Sequence, residues 1–431
     1  MQFHLKGENS MSSLDIALAL SRMKIDQWKS RDELESMQED KLRALLSYAS
    51  ENVPRYRRTL GDKAVRDLED LSSLPLVTKD EMRSEPDSFI SIRHRKDSLH
   101  RLMTAGSTGV PMEVFHHPSE SGFGPAFELH QFTEAGIGLF DKLAFITYEG
   151  EKRRFLQNLG VFRRHHLPMS AEPRDNLAAL KRLGPRALLS IPANSVPLAH
   201  ENTRSGLNLS IEKVFSFAEA LSGNARELIT SSFGCELYDM YGSIETSWIA
   251  WTCEKGSMHL CSDSLIAEIV DDDGNPVKEG EYGNIVLTPL WRRAMPFIRY
   301  DLGDRAAFGP RCSCGRGLHT LKSVEGRKAY MVVMPSGKVA PAVYAVIYVR
   351  KLPGILLFQM VQERPGELRL KAVPSDRPPS PAAQEKLLKT LRGCFPEPMD
   401  IKIEMVEELE RGRRGKIPYF ISKMDPEVAS A

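Results

Sequence analysis

Between residues 175 and 241 the apolar positions change period several times. Leu177, Leu180 and Leu183 fall on one helical face, and Gly184-Pro185 ends the run. Residues 187–191 form a short apolar strand closed by Pro192, and residues 214–218 form another. Ser222 is the expected N-cap of a helix that runs to Phe233, with Gly234 as its C-terminal stop. Residues 236–240 follow as a strand. Strand, helix and strand in so short a span predict a βαβ unit and a parallel sheet.

The flanking regions read differently. In the first hundred residues Leu42, Leu45, Leu46 and Ala49 recur at helical spacing until Asn52-Val53-Pro54 breaks the helix. Residues 14–20 read as part of an amphipathic helix. After 255 the strands 265–270 and 284–288 flank the turn Asp271-Asp272-Asp273-Gly274-Asn275-Pro276, which predicts antiparallel pairing. The last hundred residues read as a small α+β unit. It has strands at 331–334, 356–363, 368–373 and 401–406, a helix in preference to a strand at 343–349, and a helix opened by Ser380-Pro381. Its Gly/Arg-rich segment Arg411-Gly412-Arg413-Arg414-Gly415-Lys416 has nothing to pack and is expected to be mobile. The expected class is α/β. A large domain, 1–325, has a helical start over about 1–100, and a small mobile domain spans 326–431.

Charge and composition narrow the function classes. The 58 Lys and Arg against 57 Asp and Glu, among 431 residues, provide no global field for nucleic acid or an anionic membrane. The basic run Arg93-His94-Arg95-Lys96 reads as a solvated loop before a nucleic-acid contact. Six cysteines are too few for a disulfide scaffold. No apolar run is long enough to span a membrane, so a cytoplasmic protein with reduced thiols is expected.

Three segments could carry chemistry. Thr104-Ala105-Gly106-Ser107-Thr108-Gly109-Val110-Pro111 is small, hydroxylated and glycine-rich, which suits backbone N–H groups approaching an anion. It is not a Walker A loop, because no Gly-Lys-Ser/Thr follows. A nucleophile elbow with Ser107 attacking needs a helix next, yet residues 111–115 alternate like a strand. A plain glycine turn also remains open. Tyr241-Gly242-Ser243-Ile244-Glu245 follows a strand, where ligands collect in α/β sheets. Its ring could stack on a base and its carboxylate could hold Mg²⁺. Asp304, after the turn in Arg299-Tyr300-Asp301-Leu302-Gly303-Asp304, suits a ribose diol.

The ordered set resembles the adenylate-forming superfamily, and more closely its phenylacetate–coenzyme A ligase and capsular-polysaccharide-type branch. Leu45 to Arg57, Leu74-Pro75-Leu76-Val77-Thr78-Lys79, Cys312-Ser313-Cys314-Gly315-Arg316, Gly326-Arg327 and Phe358-Gln359-Met360-Val361-Gln362 carry the likeness, which covers about residues 35–423. The resemblance implies a phosphate loop at Ser107, Thr108 and Gly109, with Thr108 catalytic. It implies an adenine-side Tyr241 next to Gly242, a Mg²⁺ ligand counted among the catalytic residues at Glu245, and a ribose-binding Asp304. It also implies a hinge and nucleotide contact at Arg327 and a mobile catalytic lysine at Lys416. Phe217-Ala218-Glu219 stands where Gly-Ala-Glu is expected beside the adenine and acyl pocket, so Phe217 is expected to narrow it. Ala329 replaces a charged hinge residue.

Cys253 and His259, spaced C-x5-H, with Cys312 and Cys314, spaced C-x-C, form two close pairs suited to a closed zinc site. Similar sets in the branch imply structural zinc, with Cys261 as a rival ligand. The resemblance implies ATP-dependent activation of a carboxylic acid to an acyl-adenylate with release of pyrophosphate, then transfer to coenzyme A. Transfer to an amine or a carrier-protein thiol, a degenerate nucleotide-binding protein and a serine hydrolase remain alternatives. Expected partners are the acid, ATP and coenzyme A, with a homodimer or a carrier protein possible; no nucleic acid and no membrane are expected.

Overall fold

The computed structural model describes residues 13–60, 68–104, 112–147, 157, 160–327, 331–350, 352–411 and 417–424. The chain divides into two compact units, Met1–Gly136 with Met240–Val324 and Ile137–Asp239 with Glu325–Ala431.

The first unit begins with helices. Ser13–Asp26 is followed by Arg31–Asn52, whose start is set by a capping box in which Ser30 and Glu33 satisfy each other's backbone N–H groups. That helix buries Leu42, Leu45, Leu46 and Ala49, and it ends where Pro54 opens the short helix Pro54–Leu60. An antiparallel hairpin, His100–Met103 with Glu113–His116, brackets residues 104–112. Helix Phe123–Glu134 follows. The return segment is antiparallel, as the turn chemistry predicts. Leu265–Val270 pairs with Gly283–Pro289, which pairs with Tyr300–Phe308, while Ser247–Thr252 pairs with Met258–Leu260.

The second unit holds the parallel strands. Arg164–Pro168, Leu143–Thr147, Ala187–Ser190 and Lys213–Phe217 lie side by side in that order. Helix Pro173–Leu183 ends on Gly184 in the left-handed region, and helix Gly223–Phe233 is capped by Ser222 and stopped by Gly234. Pro192 does more than close a strand: it occupies the first turn of a further helix, Pro192–Arg204. Ala144, Leu177, Leu188, Val214 and Ile229 share one core.

Residues 331–422 carry their own core, including Met360, Leu370, Leu391 and Ile401. Its sheet pairs Ile355–Gln362 with Glu367–Pro374 antiparallel, and adds Asp400–Met405 and Phe420–Ser422 in parallel. Helices Val343–Arg350 and Pro381–Arg392 complete it. Residues 325–431 group with 137–239 because Leu356 packs into the parallel-strand core and Asn224 donates to the carbonyls of Leu352 and Ile355.

Candidate active site and metal cluster

In the first unit the site is built from a strand end, a turn and two anchoring arginines. Strand Glu236–Ser243 extends past residue 240 to include Tyr241 and Gly242. A side chain at Gly242 would meet the Ser247 carbonyl at 2.7 Å, so glycine is required there for close backbone packing. Ser243 Oγ accepts from Thr246 N–H and tightens the turn that presents Glu245.

Glu245 is buried. Its carboxylate faces Lys79 Nζ at 3.1 Å and accepts from the Tyr300 hydroxyl at 3.4 Å. Arg292, wholly buried, donates to the Glu245 carbonyl and to the Phe115 carbonyl. It thereby ties the Glu245 turn to the hairpin strand that borders the glycine-rich segment. Burial pushes the Arg292 guanidinium down to about 10, and Glu120 and Glu245 oppose that shift.

Lys79 reaches Glu245 because its segment is pinned. Val77 exchanges backbone hydrogen bonds with Arg299 and Asp301. The Arg299 side chain donates to the carbonyls of Ser72, Leu74 and Gly274 and pairs with Glu268. Arg299 itself sits in the left-handed region at φ 49°.

Asp304 lies on strand Tyr300–Phe308 and accepts from the Tyr241 hydroxyl at 2.7 Å. The structure therefore brings Asp304 to Tyr241 from a distant part of the sequence, with Glu245 on the turn that follows the Tyr241 strand. Ser107, Thr108 and Gly109 lie outside the described residues. The ends of their segment are described: Thr104 N–H donates to the Met112 carbonyl, and Met112 N–H to Thr104 Oγ1, both at 2.9 Å. A strand, Glu113–His116, follows the segment. A nucleophile elbow requires a helix there, so the hydrolase reading of Ser107 loses its structural context.

The second unit contains the other predicted residues. Phe217 ends strand Lys213–Phe217 and is buried. Ala218 occupies the left-handed region at φ 66°, an uncommon conformation for a residue with a Cβ. Glu219 accepts from two backbone N–H groups: Ala193, in the first turn of helix Pro192–Arg204, at 2.9 Å, and Ile417 at 2.8 Å. Tyr419 donates to the Ala220 carbonyl, and Arg411 to Asn194 Oδ1 and the Ala193 carbonyl. Arg411 is thus anchored, contrary to the mobile segment expected there. Lys416 and Ala329 lie outside the described residues, and Arg327 is described only as the last residue of strand Thr320–Arg327.

A separate cluster in the first unit joins Cys253, His259, Cys312 and Cys314, with all ligand atoms within 4.8 Å of one another. Cys253 Sγ lies 3.7 Å from Cys312 Sγ, and Cys314 Sγ lies 3.3 Å from His259 Nε2. Sulfurs bonded at ~2.3 Å to one zinc stand ~3.8 Å apart on a tetrahedron, so the donor set and its spacing fit that ion. Backbone N–H groups of Lys255 and Cys314 donate to the Cys253 and Cys312 sulfurs, which favours thiolates. Cys261 is buried outside the cluster, so among the described residues the rival ligand is not needed. Cys235 and Cys394 donate to the carbonyls of Ile229 and Thr390.

Lys79, Arg292 and Tyr300 were not assigned roles by sequence reasoning. Lys79 lay in a recognised motif, but a motif does not name the carboxylate its ammonium meets. Arg292 follows Trp291 in an apolar stretch, where a charge buried among hydrophobics was the available signal.

No family model matches the chain. It is 26% identical over 367 residues to the phenylacetate-coenzyme A ligase of Thermus thermophilus, covering 78% of this chain and 80% of that one. It is 27% identical to the phenylacetate-coenzyme A ligase of Escherichia coli, over 72% of this chain and 75% of that one. In fold it is similar to a 2-hydroxyisobutyryl-CoA ligase in the postadenylation state, with a TM-score of 0.71, 18% identity, and 99% and 97% of the two chains covered. An anthranilate CoA ligase matches with a TM-score of 0.52 and 16% identity over 81% and 73%. Around the Tyr241–Asp304 pair and the Glu245 turn, the chain is thus similar in sequence to phenylacetate-coenzyme A ligases and similar in fold to acyl- and aryl-CoA ligases.

Proposed function

We propose that this protein is an AMP-forming acid–coenzyme A ligase. The observation that carries the reading is the convergence of Tyr241, Asp304 and Glu245 in one unit. A phenol hydrogen-bonded to a carboxylate offers a ring for adenine beside an acceptor for the ribose hydroxyls. Glu245 supplies a nearby carboxylate that would hold Mg²⁺ together with the nucleotide phosphates, and the ion would neutralise charge there.

In the first half-reaction a carboxylate oxygen of the acid attacks the α-phosphorus of ATP, and pyrophosphate leaves. The attacking group is already ionised at neutral pH, so no general base is needed. The residues' work is positioning and charge stabilisation. Ser107, Thr108 and Gly109 take the phosphates, Lys416 faces the carboxylate and the α-phosphate, and Arg327 serves as hinge and nucleotide contact. In the second half-reaction the coenzyme A thiol attacks the acyl carbonyl, giving the thioester, and AMP leaves.

Glu219 supports the assignment of Lys416. It accepts the N–H of Ile417, the residue that follows Lys416 in sequence. Residues 326–431 then act as the small domain that delivers and withdraws the lysine. The Cys/His cluster holds a structural zinc in this reading, and coenzyme A is the acceptor.

The deciding experiment is acid-dependent exchange of labelled pyrophosphate into ATP across aromatic, aliphatic and amino acids, followed by coenzyme A-dependent release of AMP. Exchange with no acid in the panel would reject the reading. Exchange followed by AMP release with amines but not with coenzyme A would replace the acceptor.

A further inference from the structure

The basic run at 93–96 is only half a solvated loop. Arg95 pairs with Asp97 and Lys96 with Asp87. Arg93 and His94 instead line a cavity of about 480 Å³ within the first unit, a size suited to a small ligand. Across it stands Arg293, whose guanidinium lies 5.8 Å from the centre of the Tyr48 ring and donates to the carbonyls of Leu290 and Arg292. Neither Arg93 nor Arg293 makes an ion pair with a carboxylate among the described residues.

One acid, Glu120, lines the same cavity, and both of its oxygens accept backbone N–H groups. One oxygen accepts from the N–H groups of Arg293 and Ala294, and the other from that of His117. It lowers the local charge without blocking the arginines as donors. Ser119 engages His117 Nδ1 through both its hydroxyl, at 2.8 Å, and its N–H, at 3.3 Å; with Nδ1 accepting from that N–H, Nε2 carries the ring proton as a donor. His94 lies against it, ring centres 4.7 Å apart, and burial, with His117 and Arg93 nearby, holds His94 below its ordinary pKa. Trp291, stacked on Phe123 at 4.7 Å, forms an aromatic wall.

We propose that this cavity binds a phosphate ester. The Arg93 and Arg293 guanidinium groups and the His117 Nε2–H take its oxygens, and Trp291 borders its organic part. Guanidinium forks match phosphate oxygens in both geometry and charge, and neither of these two, in one concave site, has its charge met by a carboxylate ion pair among the described residues; the carbonyl bonds of Arg293 use only one of its terminal nitrogens. None of these residues belongs to the proposed adenylation machinery. Free nucleotides and coenzyme A both carry such a group, and the test separates them.

Calorimetry on the full chain would measure binding of inorganic phosphate, adenosine 3′,5′-bisphosphate, coenzyme A and dephospho-coenzyme A. Arg93→Gln removes an exposed side chain and His117→Asn removes a donor, so the pair guards against a folding defect in either one. The expected result is that each variant weakens the bisphosphate by about tenfold, the scale of one charge-assisted hydrogen bond. If coenzyme A weakens in parallel while dephospho-coenzyme A does not, the ester belongs to coenzyme A. If inorganic phosphate and the bisphosphate respond but coenzyme A does not, the occupant is a free phosphate ester. Affinities for all four probes within twofold of wild type in both variants would overturn the proposal. Because binding needs no turnover, this result is independent of whether pyrophosphate exchange is found.

Discussion

Lys79 Nζ sits 3.1 Å from Glu245 Oε1, so the carboxylate proposed to hold Mg²⁺ already faces a fixed ammonium. Glu245 is almost fully buried, and Lys79 is only about a fifth exposed (22% of its side chain). Removing an ammonium that pairs with a buried carboxylate is costly, on the order of 3 kcal/mol where it is the carboxylate's main counter-charge, and less here because Arg292 and the Tyr300 hydroxyl also face Glu245. Lys79→Met should therefore lower the melting temperature in Mg²⁺-free buffer. Millimolar Mg²⁺ with ATP should restore much of the loss, and half-saturation by Mg²⁺ should move to lower concentration. An unchanged Mg²⁺ requirement would show that ammonium and metal do not share Glu245.

The Cys/His cluster predicts about one zinc per chain in protein purified without added metal. Replacing Cys312 and Cys314 together by serine should release it and lower stability. The turn that carries Glu245 and the strand that carries Asp304 contain none of the four cluster residues, so residual pyrophosphate exchange per folded molecule should survive. Elemental analysis and exchange on the same sample test both statements. Full zinc occupancy in the double variant would remove the assignment.

Local punctuation was the most legible part of the fold. Ser222 and Gly234, Gly184, and Ser380-Pro381 set helix ends through backbone geometry, which depends on neighbours in sequence. Helix Pro192–Arg204 was hidden because Pro192 marks a strand's end and a helix's first turn equally well, and Pro197 inside the helix obscured its period. In the site, Tyr241 and Glu245 were visible in one short motif and Asp304 in another. Their meeting, and the roles of Lys79 and Arg292, depend on long-range contacts that no local pattern encodes. The cysteine pairs were legible because ligand spacing is itself a local signal, whereas the exclusion of Cys261 needed three dimensions.

Phe217 is a 6%-exposed ring at the end of strand Lys213–Phe217, where a small residue was expected beside the acid pocket. Phe217→Gly should extend the accepted acids toward bulkier ones in pyrophosphate exchange. A loss of stability is also expected, since truncating a buried phenyl costs about 3–5 kcal/mol. The informative quantity is the ranking of acids at a temperature where the variant is folded. An unchanged ranking would count against a place in the pocket.

Two buried histidines predict acid sensitivity. Burial drives His116 from the ordinary 6.5 to about 3, with Arg292 and His100 adding to the shift. Burial likewise drives His130 to about 4, with Glu134 opposing and Arg316 and Lys24 assisting. Each is depressed in the folded state, so the unfolded chain binds more protons below 6.5. Their contribution is complete above pH 6.5 and is lost as pH falls toward 4, by up to ~1.4 kcal/mol per pH unit for each. Urea unfolding at pH 7.5, 6.5, 5.5 and 4.5 should show the decline, and His116→Gln should flatten it. An identical slope in the variant would place the acid sensitivity elsewhere.

Glu219 and Lys416 yield the sharpest test of the two-step mechanism. Glu219 holds Ala193 N–H with one oxygen and Ile417 N–H with the other. Glu219→Gln replaces one acceptor with an amide donor facing an N–H, so one of the two grips is lost while volume and backbone are kept. If that grip presents Lys416 to the carboxylate and α-phosphate, adenylation should fall about tenfold in Glu219→Gln and roughly 10²-fold or more in Lys416→Ala, the scale of one lost oxyanion donor. Charge at the carbonyl during thiol attack develops away from both groups. Each variant should therefore turn over chemically supplied acyl-adenylate with coenzyme A at close to the normal rate. Arg413→Ala and Arg414→Ala are the controls, because a tail acting only through its total charge would respond to them nearly as strongly. Equal losses in both half-reactions would mean that the segment around 416 is needed for folding or for nucleotide binding at large, and the delivery of Lys416 by residues 326–431 would have to be given up.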